Sequence, residues 1–397
     1  MYQMLVQSQW QTKKLGDICE MAPGGTPLKS IKEYWLDGKV SWYSSGELNE
    51  LYTSAPRKCI THKGLDNSNT KLFPKGSLLI GIYDTAALKM SILDRQAAFN
   101  QAIVGIKPNS QIEVKFIFHI INAMKTEILS QRRGVRQKNL SFEKIKNIRL
   151  PLPPLPEQHR IVSILDEAFT EIDKAKVITE KNLKNAKEVL EGKLESVFSN
   201  VSKDWTIKRL EEITNIEYGY TEKAKDKGDY RYIRITDIDK EGNLEPENKM
   251  FIEYSKEAEK FVLEDGDLLM ARTGATFGKV LLYRDIEKSV FASYLIKISF
   301  KENILNKLYW YFSKSRIYWR QASNLSSGAA QPQFNGSALR EIIFSFPSSL
   351  TDQHDIITEL DSISTETKKL EKLYRSKLTH LEELKKSILK QAFEGKL

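Results

Sequence analysis

The sequence predicts an α+β chain built twice over: two similar mixed α/β domains joined by two long helices that form an antiparallel coiled coil, with a pseudo-twofold internal repeat. Three observations lead there. Segments at both ends of a unit recur at one constant offset. Each copy closes on a long apolar stripe at helical spacing. The rest of each copy alternates short apolar runs with polar turns, the pattern of a half-open sheet with long loops.

Trp10, Leu15 and Ile18 return 195 residues later as Trp205, Leu210 and Ile213. Leu155, Gln158, His159 and Ile161 return at the same offset as Leu350, Gln353, His354 and Ile356, and Leu165, Asp166 and Phe198 as Leu360, Asp361 and Phe393. The interior drifts: Gly76 and Leu79 match Gly266 and Leu269 at an offset of 190. A unit present only twice is no solenoid; it reads as two domains, each followed by a helix. The expected boundaries are 1–150 for the first domain, 151–200 for a proline connector and first helix, 201–346 for the second domain and 347–397 for the second helix.

Strand-like runs fall at Val40–Tyr43, 77–83 and 102–106 in the first domain, and at 231–235, Leu268–Ala271 and 295–298 in the second. A helical pattern follows late in each: Phe116, Ile117, Ile120, Ile121, Met124 and Ile128, then Leu305, Leu308, Tyr309 and Phe312. Polar, glycine-containing loops are expected over 131–139 and 323–335. Tyr34, Trp35 and Trp42 read as core.

Pro151, Pro153, Pro154 and Pro156 make a stiff extended connector, with Pro156 suited to the first helical position and Glu157 to the positive helix end. Ile161, Leu165, Ala168 and Ile172 then recur at helical steps, followed by Leu183, Ala186, Leu190 and Val197. The second copy spaces Thr367, Tyr374, Leu381 and Ile388 by a strict seven, a coiled-coil signature. About 42 residues make a rod of roughly 63 Å. The other copy is the obvious partner for each stripe, in an antiparallel sense; packing on the parent domain or on another protein is the alternative.

Net charge is +9, but residues 1–150 carry 22 Lys/Arg against 12 Asp/Glu, whereas 201–346 carry 23 against 22. A basic arm suggests a polyanion, nucleic acid above all. Two cysteines, Cys19 and Cys59, make no disulfide framework and read as free thiols, and no Cys/His cluster has zinc spacing. No apolar run approaches the ~20 residues of a membrane span. The first ten residues lack the pattern of a signal peptide, so a cytoplasmic location without membrane partners is expected.

Gly24, Gly25, Thr26 and Pro27, then Tyr34-Trp35 and Val40 to Trp42, resemble the opening of a target-recognition domain of type I restriction–modification specificity subunits. The run from Gly266 through Arg272, Thr273 and Gly274 to Gly278-Lys279 resembles that family's mid-domain segment, and Leu150 to Gln158 its lead into the spacer helix. The resemblance covers essentially the whole chain. It implies that each domain reads one half of a split site in double-stranded DNA while the helices set the gap, roughly 18 base pairs for such a rod, or half-sites about one to two helical turns apart. It further implies two modification (methyltransferase) subunits that carry S-adenosylmethionine and methylate adenine, and restriction/translocase subunits using ATP and Mg, with no cofactor in this chain. Two departures stand out. The second arm has Tyr218, Gly219, Tyr220 and Thr221 where the first has Gly24 to Pro27. It has Ala271, Arg272, Thr273 and Gly274 where the first has Gly81, Ile82, Tyr83 and Asp84. The arms should therefore read different sequences.

Candidate DNA contacts follow. Arg132, Arg133, Arg136 and Lys138 form the densest basic run and suit phosphates or a guanine edge, although a solvated loop has the same composition. Arg231, Arg234, Arg272 and Lys279 make the same case in the second arm; Arg231 and Arg234 would face opposite sides of a strand, so one of them is expected at DNA. Gly25, Thr26, Ser44, Ser45, Tyr83, Thr273, Gly274, Gln331 and Gln333 complete the set, with Asn100 and Gln101 nearby.

Catalytic signatures are weak. The one Pro-Pro pair, Pro153-Pro154, lies in the connector and not in the base-holding motif of an amino-methyltransferase. Gly274 to Val280 is a defective phosphate loop, one residue short and lacking the magnesium-binding hydroxyl. His159 and His354 read as helix-start residues. The chain is thus expected to be a non-catalytic DNA reader. An enzyme would act on DNA alone, and a protein-only scaffold would show no salt-dependent DNA affinity.

Overall fold

The computed structural model describes residues 10–83, 86–130, 140–239, 241–285, 287–326 and 334–397, with backbone alone at 275. Contacts divide the chain into two units, one of residues 1–178 and 377–397, the other of residues 179–376.

In the first unit the strands run β1 (Gln11–Lys14), β2 (Met21–Pro23), β3 (Val40–Tyr43), β4 (Lys58–Ile60), β5 (Leu78–Gly81), β6 (Met90–Ile92), β7 (Ala98–Phe99) and β8 (Ile103–Ile106). Helix α1 (Val114–Ala123), strand β9 (Arg149–Leu152) and the 45-residue helix α2 (Leu155–Ser199) follow. The second unit repeats the order: β10 (Trp205–Arg209), β11 (Thr214–Tyr218), β12 (Tyr230–Ile233), β13 (Phe251–Ile252), β14 (Leu268–Ala271), β15 (Val280–Leu282), β16 (Ser289–Phe291) and β17 (Leu295–Phe300). Helices α3 (Asn306–Phe312) and α4 (Arg316–Leu325), strand β18 (Ile343–Pro347) and the 44-residue helix α5 (Leu350–Phe393) complete it.

Sheet order repeats strand for strand. The first unit has β2-β8-β5-β6, β4-β3-β7 and the pair β1-β9; the second has β11-β17-β14-β15, β13-β12-β16 and β10-β18. Even the parallel pair recurs, β3 with β7 and β12 with β16. The central strands β5 and β14 are buried throughout because both faces are covered. Leu78 and Ile80 face a core shared with α1 and the long helices, while Leu79 faces Tyr43, Phe73 and Phe99 under the smaller sheet. In the second unit Leu268 and Met270 take the first role and Leu269 and Ala271 the second. A period of two thus reads as an unbroken apolar run.

The proline connector is in part a strand. Pro151 sits in β9 opposite Thr12 of β1, in a two-stranded ribbon where a missing N–H is tolerated. The helix then starts at Leu155, one residue before Pro156. Inside each helix start a glutamine is buried. Gln158 accepts from Glu113 N (2.8 Å) and donates to Pro153 O (2.9 Å) and Gln111 O (3.2 Å). Gln353 accepts from Leu305 N (2.9 Å) and donates to Pro347 O (2.9 Å) and Asn303 O (3.1 Å). A lysine salt bridge recurs beside it: Lys115 to Asp166 and Lys307 to Asp361, both 2.6 Å.

Within each unit the two long-helix segments run antiparallel. In the first, Lys176 meets Glu382 (2.6 Å) and Asp173 meets Lys385 (2.9 Å). Ile161, Leu165, Ala392 and Phe393 join the core of the β5 sheet. In the second, Lys193 meets Glu359 (2.5 Å), and Leu194, Phe198, Ile357 and Leu360 join the core of the β14 sheet. Packing on a partner helix and packing on a domain, weighed as alternatives, therefore occur together. Of the heptad set, Thr367 is buried and Tyr374, Leu381 and Ile388 are half-buried, while Leu370 and Leu384 point outward.

One expected loop is partly helix. Residues 323–325 close α4, whose start is capped by the buried Ser315 hydroxyl accepting from Tyr318 N (3.2 Å). The remainder of that expectation over 327–333, and the loop at 131–139, lie outside the described residues.

Candidate DNA interface

In the first unit the chain leaves β2 along a path only glycine permits. Gly24 N donates to Ile103 O (3.0 Å) and Gly25 N to Phe99 O (2.9 Å), and a Cβ on Gly24 would lie 2.2 Å from Phe99 O. Trp42 donates its indole N–H to Gly25 O (3.0 Å) and meets Trp35 edge to face at 5.1 Å. Trp42 is therefore core, whereas Tyr34 and Trp35 are half-buried.

That path opens a cleft of about 340 Å³ which gathers Thr26, Ser44, Asn100 and Gln101. Thr26 is hydrogen-bonded to Gln101. The Ser44 hydroxyl and N–H both donate to Glu47 (2.7 and 2.9 Å), and Arg57 N donates to the other carboxylate oxygen (2.8 Å). Burial opposes the Glu47 charge, but these bonds from Arg57 and Ser44 outweigh it and hold its carboxyl below the usual range. The exposed Lys29, Arg57 and Lys58 rim the same cleft, and the sequence reading missed them. The adjacent Arg57-Lys58 pair was the signal available. Ser45 is half-buried in the turn beside Ser44, and Tyr83 is exposed but not in the cleft. Arg132, Arg133, Arg136 and Lys138 lie outside the described residues, as do Gln331 and Gln333.

In the second unit the four expected basic residues part company. Arg231 is a correction: only 2% exposed, it donates to Asp285 (2.6 Å) and to Glu245 O (2.8 Å), with Glu287 at 3.9 Å, and ties β12 to the segment before β16. Arg234 is held by the buried Asp237 (2.7 and 3.2 Å), a local clasp that fills its fork. Lys279 lines a cleft with Lys314, Trp319 and long-helix residues, a lining that does not include Arg272. Arg272 differs from all three: its guanidinium carbon lies 5.3 Å from the Tyr218 ring and 5.1 Å from the Tyr294 ring. Thr273 follows it, half-buried, and Gly274 turns the chain at φ +77.

Backbone bonds align the arms to the residue. Gly219 N donates to Leu295 O (3.2 Å) and Tyr220 N to Phe291 O (2.9 Å), the bonds that Gly24 and Gly25 make in the first arm. Tyr218 thus stands at the place of Pro23, one position from the alignment with Gly24 that the sequence suggested. Arg272 stands at the place of Ile82, as expected: Ile82 N donates to Ala102 O and Ile82 O accepts from Leu140 N, while Arg272 N donates to Tyr294 O and Arg272 O accepts from Phe334 N.

The histidines form no set. Burial pushes His119 down to about 4, so it is neutral. His159 Nδ1 lies 3.2 Å from Glu113, and His354 Nδ1 lies 2.8 Å from Leu350 O. Among the described residues no group of three or more His, Cys, Asp or Glu could hold a metal ion, and no helix is long and apolar enough to cross a membrane.

These features define a class: a duplicated α+β protein whose two arms share one backbone framework, differ in the side chains it displays, and each lead into a long helix. The model of the type I restriction modification DNA specificity domain matches residues 7–184 and again 202–380, and the chain belongs to that family. It is 30% identical to the EcoR124I/EcoR124II specificity subunit of Escherichia coli over 41% of each chain. It is 22% identical to the MjaVIII specificity subunit of Methanocaldococcus jannaschii over 100% of this chain and 95% of that one. Among solved structures, a chain from a study of assembly and conformational transition of the type I R-M system superposes with a TM-score of 0.81 at 17% identity, over all of both chains. The HsdS subunit from Thermoanaerobacter tengcongensis gives 0.65 at 18% identity, over 99% of this chain and 98% of that one.

Proposed function

We propose that this chain is the sequence-reading subunit of a type I restriction–modification complex, each arm reading one half of a bipartite site in double-stranded DNA and the helices setting the gap. The observation that carries this reading is the pairing of a repeated framework with divergent display. The same backbone bonds hold Ile82 in one arm and Arg272 in the other, within a chain that carries the family's domain twice. A scaffold that bound only protein would have no reason to vary those positions while keeping the frame.

The chain directs chemistry done elsewhere. Two modification subunits would bring S-adenosylmethionine and methylate adenine; restriction/translocase subunits would bring ATP and Mg. This chain supplies no catalytic group of its own in that scheme. His119 is neutral in a core, His159 and His354 are bonded at helix starts, and Arg231 and Arg234 are spent on carboxylates. The natural boundaries of the reading arms are 1–150 and 201–346, with a cytoplasmic site of action.

Co-expression with the modification subunits, followed by mapping of methylated adenines in host DNA, tests this. Two short blocks separated by a fixed gap of about half to one helical turn are expected. Exchange of residues 201–346 for those of another such chain should change one block only. No methylation, or a motif that survives replacement of both arms, would overturn the reading.

A further inference from the structure

An arginine held against aromatic rings still has five in-plane N–H donors that need partners, because ring contacts engage its face and not its edge. Arg272 has found none: it makes no side-chain hydrogen bond or ion pair among the described residues, and its Nε is buried without a partner. The contrast with its neighbours in the fold is direct, since Arg231 and Arg234 each have a carboxylate within 2.7 Å. The terminal amino groups of Arg272 are not among the buried unpaired atoms, and the residue as a whole is half-buried, unlike Arg231.

The rings that hold it are themselves open to solvent, Tyr218 by 42% and Tyr294 by 53%. Tyr218 is in turn fixed by its hydroxyl, which accepts from Gly336 N (2.9 Å). Tyr294 is fixed through the backbone, its carbonyl accepting from Arg272 N (3.1 Å). In the first arm the same three positions are Pro23, Ile82 and Ala102, and Ile82 is buried in the core. The cluster is therefore no requirement of the framework, which closes as well with apolar residues.

We propose that Tyr218, Arg272 and Tyr294 form the guanine-reading element of the second arm, Arg272 presenting its two terminal amino groups to O6 and N7 of one guanine. The claim rests on the DNA-reading role proposed above and adds to it a base and a reader. The two ring contacts, at 5.3 and 5.1 Å, restrain the guanidinium, so less rotamer freedom is lost when the fork meets its two acceptors. Because Nε is shut in, the end-on fork is the available one. Adenine would present a donor where guanine has O6, and two donors would then face each other. A lysine would keep the charge but not the fork.

The test uses the complex with its modification subunits and the motif it methylates. Duplexes carrying 7-deazaguanine in place of each guanine of the second block, one at a time, remove N7 alone. The wild-type complex should lose about tenfold in affinity at one of these positions. Arg272→Ala should lose that sensitivity and Arg272→Lys, with a point charge in place of the fork, should keep at most part of it, both retaining the base preferences of the first block as proof of folding. A second block without guanine, or a 7-deazaguanine penalty that persists in both variants, would overturn the inference and leave the DNA-reading role standing. The absence of any split motif would remove both.

Discussion

Arg231 donates to the Asp285 carboxylate at 2.6 Å from a position with 2% exposure, so the pair is a structural tie in the second arm and not a surface for DNA. Asp285 is 22% exposed and Glu287 stands 3.9 Å from the same nitrogen, which softens the loss of either acid. Asp285→Asn should still destabilise the second unit by about 2–3 kcal/mol, because a buried guanidinium loses its counter-charge. Hydrogen exchange should show the protection loss in Tyr230–Ile233 and Ser289–Phe291, the strands this tie joins. Replacing Arg231 and Asp285 together by Met and Leu should recover most of the stability and leave the recognition motif unchanged. A changed motif would return Arg231 to the interface.

Gln158 and Gln353 are the two ends of the repeat made physical. Each buried side chain satisfies one N–H and two carbonyls around a helix start. Gln158→Ala should destabilise the first unit by about 2–4 kcal/mol, since three backbone groups are left without partners. Gln353→Ala should do the same to the second. Unit-resolved hydrogen exchange reads each effect, and equal loss in both units from one substitution would contradict a local role.

Much of this frame was legible in the sequence because it depends on short-range patterning. Leu78 to Gly81 and Leu268 to Ala271 form continuous apolar runs since both faces of each strand are covered. Gln158 and Gln353 were visible as repeated residues, but not their bonds. Helix α4 was hidden, although Tyr318, Ala322 and Leu325 keep helical spacing, because its polar end merges with the loop that follows. The interface was less legible. Asp285 lies 54 residues from Arg231, and nothing local says that it captures that arginine. Arg272 could be matched to Ile82 by sequence, but the rings of Tyr218 and Tyr294 reach it only through β11 and β17.

The two thiols should separate by reactivity. Cys19 is buried, and burial pushes its thiol up to about 12, so almost none is thiolate at neutral pH. Cys59 is only half-buried. Native alkylation at pH 8 should label Cys59 within minutes and Cys19 only after denaturation. Equal labelling rates would mean that the first unit opens readily around Leu15 to Cys19.

His119 gives the first unit a pH dependence of known sign. It is 5% exposed, its Nε2 has no partner, and burial pushes its pKa down from 6.5 to about 4. The unfolded chain therefore binds more protons than the folded one between about pH 6.5 and pH 4. Stability is at its plateau with respect to this group above pH 6.5 and falls as the pH drops through that window, by up to about 3 kcal/mol. The position of His119 corresponds to Tyr311, whose hydroxyl donates to Asp361 (2.6 Å), as Lys307 does. In the first unit, among the described residues, Lys115 alone holds the matching Asp166 side chain, and the imidazole of His119 stays neutral. His119→Phe should therefore remove the pH 4–6.5 slope from the denaturation midpoint of the first unit while leaving the second unit's profile unchanged. Persistence of the full slope would remove His119 as its source; Glu157 and Glu382, whose side-chain hydrogen bonds to Arg160 and Lys176 lower their pKa values, lose their contributions only at more acidic pH, below this window.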